Sequence, residues 1–195
     1  MSDNFKINEY IINFQAIILF LIFILSYSIR TFIFIYYSNQ IYMPDSNNYI
    51  VEASRLLAFD FENKIELFSI TMPAYSLFMC IPTLIEIYLN PMLNFENLDS
   101  ILSLNFYNNE YIFSIKNKAF FIDNIFSSLI PLIIFFITKK IFKENIIAII
   151  SALGATFYPV SIFYSISILT ENFYIFFILL GIYFFFEKKY FISYI

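Results

Sequence analysis

Long stretches without a charged residue alternate with short charged segments along this chain. A helix needs about 20 consecutive, mostly apolar residues to cross the hydrocarbon core of a bilayer. Four stretches come close to or exceed that length when one acidic residue near an end is tolerated. They predict four membrane-spanning helices, at about residues 11–36, 119–138, 145–164 and 167–186.

Basic residues near the ends of spans favour the cytoplasmic side of a membrane. Two lysine clusters follow the second and fourth predicted spans: Lys139, Lys140, Lys143, Lys188 and Lys189. Two spans separate the clusters, so both can lie on the cytoplasmic side. Residues 38–118 contain nine acidic and four basic residues, which indicates the outer side. We therefore predict an integral plasma-membrane protein with a cytoplasmic N-terminus.

A fifth apolar stretch, residues 67–89, contains Pro73, Pro82 and Glu86. If it crossed the membrane completely, both lysine clusters would lie outside. Proline removes a backbone hydrogen-bond donor, and irregular backbone at membrane depth must be covered by protein or water. We predict an interfacial or re-entrant helix within one long external loop, residues 37–118. The expected fold is all-α, with juxtamembrane helices in that loop.

The composition agrees with a membrane protein. Hydrophobic residues make up 61 % of the 195 residues and charged residues 13 %, with a mean hydropathy of +0.76. Ordinary soluble domains are roughly half apolar and about a quarter charged, so a soluble globular enzyme is excluded. The chain has no histidine and one cysteine, Cys80, which excludes a catalytic histidine, a thiolate metal cage and an internal disulfide. A net charge of −4 argues against a nucleic-acid partner.

Asp45 is the first candidate for chemistry. Pro44 and Asp45 precede an amphipathic pattern in which Tyr49, Ala53 and Leu56 share one face, which predicts a helix start. The carboxylate lies where the external loop leaves the first span. It can act as a general base there, or Asp45 or its neighbour Ser46 can simply cap the helix.

Glu171 is the second candidate, at the outer end of the fourth predicted span and on the same side as Asp45. Two carboxylates facing one cavity can supply a general base and a group that orients substrate or binds a metal. Glu171 can also favour the start of its helix through the helix dipole, and the two roles are compatible. Arg30, near the outer end of the first span, can contact a lipid phosphate or snorkel to the interface. Asp123 is placed similarly in the second span.

Several segments, in order and spacing, resemble the polytopic GT-C glycosyltransferases, in particular protein O-mannosyltransferases and bacterial aminoarabinose transferases. The matching segments are Pro44-Asp45-Ser46-Asn47-Asn48-Tyr49 with Ala53, Pro73-Ala74-Tyr75-Ser76-Leu77-Phe78, Thr138-Lys139-Lys140-Ile141-Phe142, Tyr158-Pro159 and Leu169-Thr170-Glu171. Ser46 stands where the family motif has a second acidic residue. Near Met72 there is no match to the lysine that aminoarabinose-type relatives carry before the loop proline.

The resemblance implies transfer of a sugar from a polyprenyl-phosphate donor to an acceptor hydroxyl at the outer membrane face. It implies Asp45 and Glu171 as catalytic residues that also hold a divalent cation, Mg²⁺ or Mn²⁺, and Arg30 and Tyr49 as substrate-binding residues. The expected partners are the lipid-linked donor and membrane lipids. Family members have more spans, and the apolar residues 190–195 look like the start of another, so we expect the N-terminal part of a longer enzyme. The alternative is a non-enzymatic integral membrane protein that binds a partner or a transporter, or an inactive truncated product.

Overall fold

The computed structural model describes residues 2–37, 44–57, 73–90, 93 and 110–187, and every regular element in these ranges is a helix. The predicted all-α fold is confirmed. The helices are α1 (Ser2–Tyr37), α2 (Pro44–Leu57), α3 (Pro73–Leu89), α4 (Glu110–Phe142), α5 (Asn145–Thr156), α6 (Pro159–Ile166) and α7 (Thr170–Glu187). The second helix starts at Pro44, whose missing N–H is not needed in a first turn. This start lies one or two residues before the predicted cap positions, so Asp45 and Ser46 belong to the first turn and do not cap the helix.

Three segments are long and apolar enough to cross a membrane: Phe14–Tyr37 in α1, Glu110–Phe142 in α4 and Thr170–Glu187 in α7. Helices α5 and α6 form a fourth candidate that is bent by 46°. The bend follows from Pro159, because the residue before a proline avoids helical geometry, and Tyr158 is extended with ψ 112°. The chain is therefore an integral membrane protein with three or four candidate spans.

Residues 73–89 of the apolar stretch with two prolines form α3, which has 17 residues and is shorter than the three long candidate spans. Helix α4 begins at Glu110, earlier than the predicted start of the second span at residue 119. Its 33 residues correspond to about 50 Å, more than the roughly 30 Å of a bilayer core. Ile112 and Ile115 in the added turns are buried, so tertiary packing explains the longer helix.

Helix α4 is the central helix and packs against each of the other described helices. It runs antiparallel to α1, because Lys139 meets Gln15 at one end while Phe120 stacks on Phe34 at the other. It runs parallel to α7, because the α4 residue Lys140 pairs with Glu187 at the end of α7. The start of α1 and the ends of α4 and α7 thus share one end of the bundle, which we call the lysine end. Lys139, Lys140 and Lys143 lie at this end, whereas Lys188 and Lys189 of the second predicted cluster are outside the described residues.

The opposite end, which we call the α2–α3 end, contains the largest apolar core. Phe34 of α1 and Phe120 of α4 stack with ring centroids 3.7 Å apart. The fully buried Ala53 of α2 and Met79 of α3 belong to the same core. These contacts hold the two loop helices against the bundle, where they cover the ends of α1 and α4.

A polar network also fastens α3 to α4. The Glu86 carboxylate accepts hydrogen bonds from Ser114 and Asn90, each at 2.6 Å, and forms an ion pair with Lys118. Burial alone would raise the pKa of Glu86, but these hydrogen bonds and the Lys118 charge outweigh it and hold the pKa below its usual value. The charged carboxylate therefore stabilises the folded state.

Acid is expected to weaken the contacts of Glu86 that hold α3 against α4. A carboxyl whose folded pKa is lowered contributes stability above its unfolded pKa, near 4.5 for Glu, and loses it as the pH falls through the folded pKa. Losing the bonds of a buried charged group costs about 1–3 kcal/mol. Thermal unfolding followed by circular dichroism gives the melting temperature. Between pH 6 and pH 3 this temperature should decrease less for Glu86→Gln than for the unmodified protein. Glu144→Gln, at an exposed position, is the matched control, and equal acid sensitivity of all three proteins would contradict the assignment.

Candidate functional site

A chain of hydrogen bonds begins at Arg30, which is fully buried in α1. Its guanidinium donates hydrogen bonds to the backbone oxygen of Ser26 at 3.1 Å and to the Ser26 hydroxyl. It also donates to the Ser161 hydroxyl of α6 at 3.2 Å. Ser161 donates to Oδ1 of Asn172 at 3.1 Å, and Nδ2 of Asn172 donates back to the Ser161 backbone oxygen at 2.6 Å. The arginine thus joins α1, α6 and α7 just after the bend in the broken span.

Asp123 of α4 is a buried acidic residue that interacts electrostatically with Arg30. It is fully buried, and the Ser127 hydroxyl donates to its Oδ2 at 3.4 Å. Arg30 and Asp123 interact electrostatically but form no direct ion pair. Oδ1 of Asp123 and Nε of Arg30 have no hydrogen-bond partner in the described part of the chain. Both side chains therefore retain capacity for another polar group.

Tyr75 of α3 lies within electrostatic range of both Asp123 and Glu171. Its ring is 1 % exposed and packs edge-on against Tyr49 at 5.0 Å and against Phe173 at 5.7 Å. Burial raises the pKa of the Tyr75 phenol well above its ordinary value, and electrostatic interactions with Asp123, Tyr49 and Glu171 raise it further. The phenol is therefore neutral at physiological pH, a hydrogen-bond donor within electrostatic range of two carboxylates.

Glu171 lies in the first turn of α7, next to Thr170, where the helix dipole favours a negative charge. Its Oε2 atom is buried and has no hydrogen-bond partner among the described residues, and the same holds for the Tyr75 hydroxyl. Leaving such a group unpaired costs about 1–3 kcal/mol, so native proteins normally satisfy it. Unpaired atoms on Arg30, Tyr75, Asp123 and Glu171 in one region are typical of a site that receives polar groups of a ligand or water.

An apolar cavity of about 530 Å³ adjoins this region between α3 and α7. The residues that line the cavity are apolar or aromatic and come from the same two helices as Tyr75 and Glu171. They are Ala74, Leu77, Phe173, Tyr174, Phe177 and Ile178. Ala74 immediately precedes Tyr75, and Phe173 lies two positions after Glu171. The α2–α3 end therefore presents a polar centre beside an apolar groove.

The structure brings together most of the residues predicted from sequence. Arg30, Tyr49 and Glu171 all lie around Tyr75 and Asp123. Asp45 lies in the first turn of α2, one turn before Tyr49, and its side chain is outside the described residues. Its predicted roles as base and metal ligand stay predictions. Arg30 is enclosed by the helices and does not extend to the interface.

Sequence reasoning did not single out Tyr75, Ser161 or Asn172 as parts of the site. Tyr75 occurred only inside a loosely matched loop segment, and Ser161 looked like one of several serines in an apolar stretch. A usable signal was the polar residue Asn172 directly after Glu171 inside a long apolar region. Polar residues within spans usually face the interior of a bundle and mark function.

The described residues contain no group of three or more Asp, Glu, Cys or His side chains that could enclose a metal. Mg²⁺ needs less than that, since it keeps several waters and commonly uses one or two carboxylates together with substrate phosphates. The unpaired Oε2 of Glu171 is an oxygen donor of the appropriate type. One such donor does not define a cation site, and binding of Mg²⁺ or Mn²⁺ stays a prediction.

No family model, curated protein sequence or solved structure matches this chain.

Proposed function

We propose that this chain acts in a membrane glycosyltransferase reaction that takes a sugar from a polyprenyl-phosphate donor. The observation that carries the proposal is the incompletely paired group of Tyr75, Asp123 and Glu171 beside an apolar groove. A polyprenyl-phosphate sugar has both parts that such a site would bind: an apolar chain and a polar, charged head.

The groove between α3 and α7 supports binding of the isoprenoid chain. Its walls are aliphatic and aromatic, and Leu77, Tyr174 and Phe177 are exposed on the outside of the helix bundle. A lipid chain could enter sideways from the membrane without crossing a polar surface. Its phosphate would then lie near the start of α7, where Glu171 and the helix N-terminus meet.

The carboxylates support the transfer step. Sugar transfer develops positive charge at the anomeric carbon, which nearby negative groups stabilise. The acceptor hydroxyl attacks that carbon while a base removes its proton, and the donor phosphate leaves. Asp45 is the proposed base, one turn before Tyr49 at the rim of the site. Bound Mg²⁺ or Mn²⁺ would neutralise charge on the leaving phosphate, with Asp45 and Glu171 as its protein ligands.

Arg30 has a positioning role in this proposal. Its bonds to Ser26 and Ser161 hold α1 against α6, and its charge offsets Asp123. A direct contact with donor phosphate would have to use Nε, the guanidinium nitrogen without a described partner. The acceptor side faces the outside of the plasma membrane if the lysine end and the N-terminus are cytoplasmic, as the lysine clusters favour.

Neutralising Glu171 should cause a large loss of transfer. In the intact protein, with any residues encoded beyond Ile195, Glu171→Gln is expected to lower the rate about 100-fold or more, the usual scale for a carboxylate acting at the reacting centre. The measurement is transfer of labelled sugar from polyprenyl-phosphate donors in proteoliposomes with Mg²⁺ or Mn²⁺. Glu187→Gln removes the same charge at the other end of α7 and should retain activity. Equal rates for both variants would refute the role of Glu171.

A further inference from the structure

The lysine end of the bundle contains a second cavity, of about 490 Å³, on the side opposite the candidate site. It lies between the last turns of α4 and α7. Three lysines, two aromatic rings and one carboxylate line it: Lys139, Lys140, Lys143, Phe136, Tyr183 and Glu187. A cluster that only sets membrane orientation needs lysines near the span end, but it does not need them to surround one cavity.

The charges around this cavity leave a positive excess. Three lysines line it against one carboxylate, so two positive charges remain. Glu187 pairs with Lys140. Lys139 donates to the neutral Gln15 side chain at 2.8 Å, and the ammonium group of Lys143 has no ion-pair partner within the described ranges. The adjacent Glu144 is exposed and does not line the cavity.

The backbone at Lys143 adds a second observation. This residue has φ 59°, the left-handed conformation with which many helices end, and its N–H bonds to the Lys139 backbone oxygen at 2.9 Å. Glycine or asparagine normally occupies that position, because a Cβ atom there approaches the following carbonyl oxygen at a cost of about 1–2 kcal/mol, and asparagine can offset this with a local hydrogen bond. The chain carries lysine instead and thereby adds a third ammonium group to the cavity lining.

The cavity wall is apolar on its membrane side. The rings of Phe136 and Tyr183 lie 6.0 Å apart, and Phe136 is 41 % exposed on the outside of the bundle. The ammonium group of Lys140 lies 5.8 Å from the centroid of the Tyr183 ring. A ligand that fits this arrangement has an anionic group for the lysines and an apolar part for the rings.

We propose that this cavity binds the phosphate headgroup of an anionic phospholipid, with the start of an acyl chain against Phe136 and Tyr183. Basic pockets between spans commonly bind anionic headgroups, and charge-assisted bonds from lysine to phosphate are strong. The site is separate from the α2–α3 end, and the inference does not depend on the proposed transferase activity.

The test is native mass spectrometry of the intact protein in neutral detergent micelles, titrated with phosphatidylglycerol or phosphatidylcholine. The unmodified protein should bind phosphatidylglycerol at least about tenfold more tightly. Lys143→Gln should lose about three- to tenfold of that affinity, whereas Lys143→Arg, which keeps the charge, should retain it. Lys116→Gln removes one charge near the opposite end of α4 and should bind as the unmodified protein does.

Three results would overturn the inference. Equal affinity of the unmodified protein for both lipids would by itself refute the anionic-phospholipid site. Equal losses in Lys143→Gln and Lys116→Gln would indicate a general charge effect and no site at the lysine end. Full displacement of the lipid by an equal concentration of inorganic phosphate would indicate a simple anion site without lipid recognition.

Discussion

Asp45→Asn is expected to abolish sugar transfer while the protein folds and inserts normally. Asp45 lies in the first turn of α2, where its charge interacts favourably with the helix dipole by only about 0.3–1 kcal/mol, so loss of that charge leaves the protein folded. Asparagine cannot accept the acceptor's proton, and general bases typically contribute about 10²- to 10⁴-fold to a rate. The rate of labelled-sugar transfer by the intact protein should decrease by that factor, with helix content by circular dichroism unchanged.

Asp45→Ala and Ser46→Ala complete this experiment. If Asp45 only supports the start of α2, Asp45→Ala and Asp45→Asn should each destabilise the protein by at most about 1 kcal/mol and both should be fully active. If Asp45 is the base, both Asp45 variants should lose activity and Ser46→Ala should keep it. Full activity of Asp45→Asn would reject the assignment of the base.

Arg30→Leu is expected to destabilise the fold by about 3 kcal/mol, the second large effect. The substitution removes the bond from α1 to Ser161 and leaves Asp123 buried without its positive partner. A loss of this size is a large part of the 5–15 kcal/mol that stabilises a typical protein. Denaturant unfolding in micelles, followed by circular dichroism, measures it.

A double-mutant cycle separates the charge from the packing. Asp123→Asn removes the buried acidic group, so adding it to Arg30→Leu should recover part of the lost stability. If the two substitutions act additively, Arg30 and Asp123 are not energetically coupled. An arginine that merely snorkelled to the interface would give a loss below about 1 kcal/mol.

The helices that the sequence predicted well are those defined by long charge-free runs. The first and fourth spans agree closely with Phe14–Tyr37 and Thr170–Glu187, because few other structures satisfy so many apolar residues in lipid. The start of α2 at Pro44 was also predictable, since proline and a following amphipathic pattern are local signals.

Features that depend on distant partners were not predictable. The first turns of α4 contain Lys116 and Lys118, which looked like loop residues, but Lys118 pairs with Glu86 from α3. Arg30 looked like an interfacial arginine because Ser161 lies 131 positions away in the sequence. Tyr75 gains its significance only from the packing that brings Asp123 and Glu171 near it. The polar centre is thus a product of tertiary structure.

Consumption of the donor tests the central claim most directly. The intact protein would be reconstituted in proteoliposomes with a panel of labelled polyprenyl-phosphate sugars, hydroxyl acceptors and Mg²⁺ or Mn²⁺. The account predicts that at least one donor is converted to free polyprenyl phosphate with the label on an acceptor, and that Asp45→Asn stops this conversion. A folded, correctly inserted protein that leaves every donor in the panel intact would contradict the account and favour a non-enzymatic membrane protein.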